Sequence, residues 1–133
     1  MQVVSFTGTE QLDDLVRTLG KAVEVTPAAV RLVVQRGAQN VKLTAQRRVA
    51  GLKHAPAYPR AITYDTSETL FGASAEIGPD KAKPQGALGN LIEFGSVHNP
   101  PIPHMLPAGD AEQPRFEAAM ESLVVKSLAP GLT

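Results

Sequence analysis

The chain has 133 residues, the size of one domain, so the sequence predicts a single domain spanning residues 1–133. It contains no cysteine, which excludes disulfide scaffolds, thiolate metal sites and cysteine nucleophiles. Its 13 basic and 13 acidic residues cancel, so the net charge provides no attraction to nucleic acid or membranes. Because no run of about 18 apolar residues and no basic-then-apolar leader is present, we expect a cytosolic, unprocessed chain without membrane contact.

The N-terminal half carries two helical patterns. A capping-box spacing at residues 7–10, followed by apolar residues at helical intervals, predicts a first helix that ends at Gly20. A stronger start signal is Thr26-Pro27, because a capping side chain precedes a residue whose backbone angle suits the first helical position. The apolar stripe that follows predicts a helix over residues 27–52, about 39 Å long. The stripe consists of Val30, Val34, Ala38, Val41, Ala45, Val49 and Leu52.

After residue 59 the hydrophobic pattern changes from helical to alternating, which predicts an antiparallel hairpin with residues 65–69 as its connection. The inward positions are Ile62 and Tyr64 in the first strand and Phe71, Ala73, Ala75 and Ile77 in the second. Residues 78–80 close the second strand. The polar stretch that follows contains Lys81 and Lys83 and is predicted to be an exposed contact loop.

The C-terminal part predicts two further helices. A short helix through Leu88, Leu91 and Ile92 ends at Gly95, and four prolines between residues 100 and 107 exclude regular structure there. The last helix begins at Pro107 with a break at Pro114, or begins afresh at Pro114, and ends at Pro130-Gly131. Its inward residues are Phe116, Ala119, Met120, Leu123 and Val124. The predicted fold class is α+β, with a long N-terminal helix and a C-terminal helix packed on a small antiparallel sheet.

No catalytic or metal-binding pattern is found in the sequence. The histidines are His54, His98 and His104, and the last two lie six residues apart in the proline-rich loop without an adjacent Asp or Glu. Since zinc requires three or four protein ligands, we interpret them as surface or interface histidines and predict no metal site. A glycine-rich phosphate loop, a serine elbow and paired carboxylates on one helical face are also absent. The sequence therefore predicts no enzyme activity, no catalytic residue and no cofactor.

Charge is distributed unevenly along the chain. Residues 1–66 contain nine basic and five acidic residues, and residues 67–133 contain four basic and eight acidic residues, giving +4 and −4. The predicted long helix has basic residues and no acid. Opposite its apolar stripe lie four residues that we call the outward strip: Leu32, Arg36, Leu43 and Arg47.

Three interpretations of the outward strip remain open. It is a solvated face that also meets the acidic C-terminal helix, with Glu112, Glu117 and Glu121, as in many weak surface pairings. Alternatively, it is a subunit interface, because its exposed leucines lie beside arginine, a residue that is enriched in interfaces. The third interpretation is phosphate contact with nucleic acid, which the neutral net charge disfavours.

Four segments, taken in order, have a recognisable pattern: residues 54–64, 75–81, 86–95 and 103–108. The most distinctive parts are the Ile-Glu-Phe-Gly turn and the Pro-x-x-x-Pro-Ala sequence before the last helix. This pattern resembles the small tail-component family of long-tailed (siphovirus-type) bacteriophages, the neck or tail-completion proteins that join head to tail. The resemblance covers residues 27–128.

The resemblance implies a structural virion protein without enzyme activity. It implies a homo-oligomeric ring, expected to be a hexamer, at the head-to-tail junction between the head-closure or adaptor proteins and the tail terminator. DNA would pass through the lumen without sequence readout, and assembly would take place in the cytoplasm of the bacterial host. The tail terminator or another minor tail protein is the nearest alternative. A small nucleic-acid-binding module that uses the basic helix 27–53 is the alternative from another class.

Two sets of residues follow as candidates. The subunit-interface candidates are Leu32, Arg36, Leu43, Arg47, Lys81, Lys83, Glu117 and Glu121. The structural-motif residues are Glu93, Phe94, Gly95, Pro103 and Pro107. Within the motif, Gly95 is expected to provide a left-handed helix end and Phe94 to anchor the short helix on the sheet. Glu93 either binds backbone groups of the proline-rich loop or is solvated.

Overall fold

The computed structural model describes residues 4–7, 26–69 and 72–128. Its elements are β1 (Val4–Thr7), α1 (Pro27–Arg48), α2 (Tyr58–Ala61), β2 (Ile62–Thr69), β3 (Gly72–Pro79), a 3-10 turn (Gly86–Leu88), α3 (Gly89–Phe94) and α4 (Met105–Leu128). The predicted α+β class is confirmed: α1 packs on a small antiparallel sheet, and α4 packs mainly against α1. The predicted helix that ends at Gly20 lies outside the described residues.

The described strands form one antiparallel sheet in the order β1-β3-β2. β2 and β3 pair from Ile62 opposite Pro79 to Thr69 opposite Gly72. β1, which the sequence did not predict, pairs with residues 74–77 on the other edge of β3. β3 is therefore the central strand, and its side chains Ala73, Ala75 and Ile77 are buried as predicted. Phe71 lies outside the described residues.

The prediction that residues 65–69 connect the two strands is wrong. These residues are the outer half of β2 and pair with residues 72–76. Residues 65–68 are exposed, so backbone pairing holds this part of the strand without the alternating burial that identifies strands in a sequence. The hairpin is therefore longer, and its connection shorter, than the apolar pattern indicates.

α1 contacts β2, β3 and α4 and is the centre of the domain. It begins as predicted, with the Thr26 hydroxyl accepting a hydrogen bond from the Ala29 N–H at 3.2 Å and Pro27 in the first turn. It ends at Arg48 rather than residue 52, because the backbone leaves the helical conformation at Val49 and Gly51 takes a φ of 77°. The core residues of α1 are Val30, Val34, Ala38, Val41 and Ala45. In the described ranges, no helix is both long and apolar enough to cross a membrane.

α4 runs antiparallel to α1. The Arg48 Nε donates to the Pro103 carbonyl just before α4 begins, and the Asn40 amide, two turns earlier in α1, donates to Glu112. Core contacts of α4 come from Met105, Ala108, Phe116, Met120 and Val124. The inward face predicted for the last helix is thus confirmed for Phe116, Met120 and Val124.

The predicted starts of the last helix, at Pro107 or Pro114, are wrong. α4 begins at Met105 and continues through Pro114. Pro107 lies in the first turn of the helix. Backbone N–H groups in that turn have no acceptor within the helix, so the lack of an N–H at proline costs no hydrogen bond there. Pro114 cannot donate to the Asp110 carbonyl, but both residues are on the exposed side of the helix, where water can hydrogen-bond this carbonyl.

Candidate interaction surface

The outward strip lies on the solvent side of α1. Leu32 is 61% exposed and Leu43 is 38% exposed, and both arginines are exposed. At 100° per residue, the four side chains fall within about 60° of one another on the helix, opposite the buried stripe. The sequence prediction of an exposed apolar and basic strip is therefore confirmed.

The outward strip does not meet the acidic residues of α4 within one chain. Glu112 is buried on the inner side of α4, where its carboxylate accepts a hydrogen bond from the Asn40 amide at 2.9 Å and lies 3.6 Å from Arg115. Within the part of the chain that the structure describes, neither Arg36 nor Arg47 has an ion-pair partner. The pairing that the first interpretation required is absent among these residues.

α4 has an exposed face of opposite charge, which we call the acidic face. Its members are Leu106, Asp110, Glu117, Glu121 and Val125, all exposed. Glu117 accepts a hydrogen bond from Gln113 at 3.2 Å, one turn away on the same helix. The sequence identified Glu117 and Glu121 and missed the other three. Their spacing of four or seven residues was the signal that could have found them.

The loop after β3 is exposed, as predicted for Lys81 and Lys83. Asp80 organises it, because its carboxylate accepts from the Ala82 N–H at 2.9 Å and its carbonyl accepts from the Lys83 N–H at 3.1 Å. A Cβ at Gly86 would collide with the Asp80 carbonyl, so the close approach of these two backbone segments at the end of the loop requires glycine. Nothing in the described structure assigns the two lysines a partner, and their interface role stays a prediction.

Glu93 binds backbone groups of the proline-rich loop, so that expectation is confirmed and the solvated alternative is wrong. Its carboxylate is 2% exposed and accepts hydrogen bonds from the N–H groups of His104, at 3.2 Å, and Met105, at 2.8 Å. These N–H groups are at the start of α4, where a helix has no internal acceptors for them. A negative charge at this end is also stabilised by the helix dipole. Glu93 therefore fixes where α4 begins.

His104 was interpreted as a surface or interface histidine, and this is wrong, because it is completely buried. Its Nδ1 lies 2.9 Å from the Ile102 carbonyl oxygen and 3.0 Å from Glu93 Oε1. Since both neighbours are acceptors, Nδ1 carries a proton. His54 and His98 are exposed, in agreement with the sequence interpretation.

The other ring nitrogen of His104 contacts Tyr58. The Tyr58 hydroxyl lies 2.6 Å from Nε2, and the two rings meet edge to face with their centroids 5.3 Å apart. Burial raises the pKa of the Tyr58 hydroxyl above its ordinary value, and the negative charge of Glu93 raises this pKa further. The hydroxyl therefore keeps its proton and donates a hydrogen bond to Nε2. The sequence did not predict this buried network, because its three members come from separate segments.

The expectation that Phe94 anchors α3 on the sheet is wrong, because Phe94 is 57% exposed. A six-residue helix presents only one side to the core, and here that side carries Ile92 and Glu93. Gly95 ends α3 with a φ of 81° and a ψ of 175°. The positive φ favours glycine as expected, but the conformation is extended rather than left-handed helical. A Cβ on Gly95 would lie 2.8 Å from the Pro101 nitrogen, so the close return of the loop also requires glycine.

A largely apolar groove of about 440 Å³ lies between α3 and the turns that follow α1. Its walls include Leu52, Leu88, Ile92 and Ile102, and Lys53 and His54 lie at its edge. Among the described residues no group of three His, Asp or Glu side chains is arranged to hold a metal ion.

Comparisons of this chain with protein-family models, with curated proteins and with solved structures give no match.

Proposed function

We propose that this protein is a structural component of the head-to-tail junction of a long-tailed bacteriophage, acting as a ring of identical subunits. In this role it joins the head-closure proteins to the tail terminator in the virion. The ring is expected to contain six copies, and its lumen conducts DNA without reading its sequence.

The observation that carries the proposal is the pair of exposed, oppositely charged faces on the two long helices. The outward strip of α1 presents exposed leucines and arginines, and the acidic face of α4 presents carboxylates between Leu106 and Val125. Arginine is enriched in the surfaces that proteins use to bind each other, and here it lies beside exposed leucines. Two different complementary faces on one chain suit head-to-tail packing, which closes into a ring when the rotation between subunits allows it.

The resemblance of the sequence also supports the proposal. The two most distinctive parts of that pattern, residues 92–95 and 103–108, meet in the structure. Glu93 of the first part accepts hydrogen bonds from His104 and Met105 of the second. The two parts of the pattern thus form one structural unit.

A second candidate is nucleic-acid binding by α1. It is favoured because, among the residues that the structure describes, no carboxylate pairs with Arg36 or Arg47. Phosphate binding by these arginines would be strongly salt-dependent. Retention of duplex DNA at physiological ionic strength, lost in the variant Arg36→Ala/Arg47→Ala, would support this candidate. A protein that only lines a DNA conduit should show no such retention.

Electron microscopy of lysates from phage lacking this gene tests the proposal. We expect filled heads and full-length tails that accumulate separately, and joined particles when the wild-type gene is supplied from a plasmid. Tails of abnormal length would instead support the tail-terminator alternative. Joined particles of normal appearance in the deletion would refute a role at the junction.

A further inference from the structure

We infer that the outward strip of α1 binds the acidic face of α4 in a second copy of this chain, with the two helices antiparallel and in one defined register. The inference deepens the proposed function by naming the contact between neighbouring subunits. It depends on that function only for the biological setting, because the contact follows from the two surfaces themselves.

The two faces carry their charged residues at the same spacing along their helices. The outward strip occupies about 60° of α1, and the acidic face occupies about 100° of α4. Arg36 and Arg47 are separated by eleven positions, or about 16.5 Å along the helix, and so are Asp110 and Glu121. Two cations on one helix can therefore meet two anions on another helix at the same time.

The antiparallel register that pairs these charges also pairs the apolar residues. Arg36 lies opposite Glu121, and Arg47 lies opposite Asp110. The same alignment places Leu32 opposite Val125, which is 54% exposed, and Leu43 opposite the exposed Pro114. Every member of the outward strip thus meets an exposed side chain of matching character, and Leu106 falls opposite Gly51 just beyond the end of α1.

A parallel alignment is less favourable. It also matches the charges, pairing Arg36 with Asp110 and Arg47 with Glu121, but it places Leu43 against the carboxylate of Glu117. Within the chain α1 and α4 are antiparallel, as the contacts of Arg48 and Asn40 with the α4 region show. Copies related by rotation about an axis along these helices keep this direction, so α4 of the neighbour runs antiparallel to α1.

Thiol-specific cross-linking tests the register directly, because the chain contains no cysteine. Purified Leu32→Cys chains are mixed with Val125→Cys chains and treated with a short bismaleimide. We expect a product of twice the chain mass, and little of it when Leu32→Cys chains are mixed with Leu106→Cys chains. A dominant product from the second mixture would show that the parallel alignment is the correct one. No product from either mixture at the highest soluble concentration would overturn the proposed contact.

A charge exchange tests the same contact without cross-linking. The variants Arg36→Glu/Arg47→Glu and Asp110→Arg/Glu121→Arg should each associate with themselves at least about tenfold more weakly than the wild type. Mixing them should restore association, because each contact in an alternating assembly then joins opposite charges. The control Lys53→Glu/Lys126→Glu changes the net charge by the same amount as Arg36→Glu/Arg47→Glu, at exposed residues outside both faces, and should associate like the wild type. Failure of the mixture to recover, with both variants folded by circular dichroism, would refute the contact.

The experiments distinguish failure of the proposed subunit contact from failure of the proposed role at the head-to-tail junction. Chains with both Leu32→Cys and Val125→Cys should give a ladder of linked products longer than two, and a ladder that stops at two would show a closed dimer and refute head-to-tail packing. If these tests succeed but phage lacking the gene still form joined particles, the contact stands and the junction role fails. If heads and tails separate but the tests fail, the junction role stands and the contact is wrong.

Discussion

Removing the Tyr58 hydroxyl should destabilise the domain measurably at neutral pH. The variant Tyr58→Phe keeps the ring in its buried position but leaves Nε2 of His104 without its partner at 2.6 Å. Both residues are fully buried, so water cannot replace the hydroxyl. A buried polar group that loses its hydrogen bond costs about 1–3 kcal/mol. For a domain of this size we therefore expect a decrease in Tm of roughly 3–15 °C.

The effect should diminish at alkaline pH. Because burial raises the pKa of Tyr58 in the folded state above its unfolded value of about 10, the folded state retains a proton that the unfolded state releases. The stabilisation is complete below about pH 10 and is lost as the pH rises above that value, by up to about 1.4 kcal/mol per pH unit. The variant Tyr58→Phe has no such loss. The difference in unfolding free energy between the variant and the wild type should therefore shrink between about pH 10 and pH 11.

Urea unfolding followed by circular dichroism at pH 7 and at several values above pH 9 provides the assay. The matched control is Tyr64→Phe, which removes the only other tyrosine hydroxyl in the sequence from a half-buried position beside Lys42. We expect the control to stay within about 0.5 kcal/mol of the wild type. If Tyr58→Phe is as stable as Tyr64→Phe at pH 7, the hydrogen bond to His104 contributes nothing and the derived network is incorrect.

Three other substitutions test the fold. Gly86→Ala should lower stability by about 1–3 kcal/mol, because the new Cβ collides with the Asp80 carbonyl and the backbone must move. Asn40→Ala should cost about 1–3 kcal/mol, because it removes a hydrogen-bond donor from the buried carboxylate of Glu112. Phe94→Ser should change the unfolding free energy by less than about 1 kcal/mol, since more than half of that side chain is already exposed.

Each of these changes has a control for the same chemical unfolding measurement. Ala87→Ser alters the exposed neighbour of Gly86 and should have little effect. Gln39→Ala removes an amide beside Asn40 without touching Glu112 and should cost less than Asn40→Ala. Ile92→Ser, in contrast to Phe94→Ser, removes apolar contacts with the core and should destabilise. Equal effects of the last two variants would contradict the orientation found for α3.

The long helices could be predicted from the sequence because their signals are local. The Thr26-Pro27 start and the valine and alanine stripe of α1 depend only on neighbours within four residues. The outer half of β2 could not be predicted, because its exposed polar residues are held by backbone pairing with β3. The continuation of α4 through Pro114 was missed for a related reason, since core contacts on both sides of the proline maintain the helix.

The candidate surface was predicted better than the buried network. A helix determines which of its residues face outward, so the exposure of Leu32, Arg36 and Arg47 followed once α1 was identified. His104 has no acidic neighbour in the sequence, and its partners Tyr58 and Glu93 are brought to it by separate turns. A histidine directly before a helix start, preceded by a glutamate eleven residues earlier, gives no local sign of burial.

The buried network and the exposed faces are connected through the start of α4. Glu93 accepts hydrogen bonds from the N–H groups of His104 and Met105, and these bonds fix the residue at which α4 begins. A displacement by one residue would turn α4 by about 100° and replace its acidic face with a different set of side chains. The proposed contact between copies requires Asp110 and Glu121 on the solvent side. Loss of the Glu93 carboxylate should therefore weaken association as well as stability, although Glu93 itself is buried in the core and belongs to neither face.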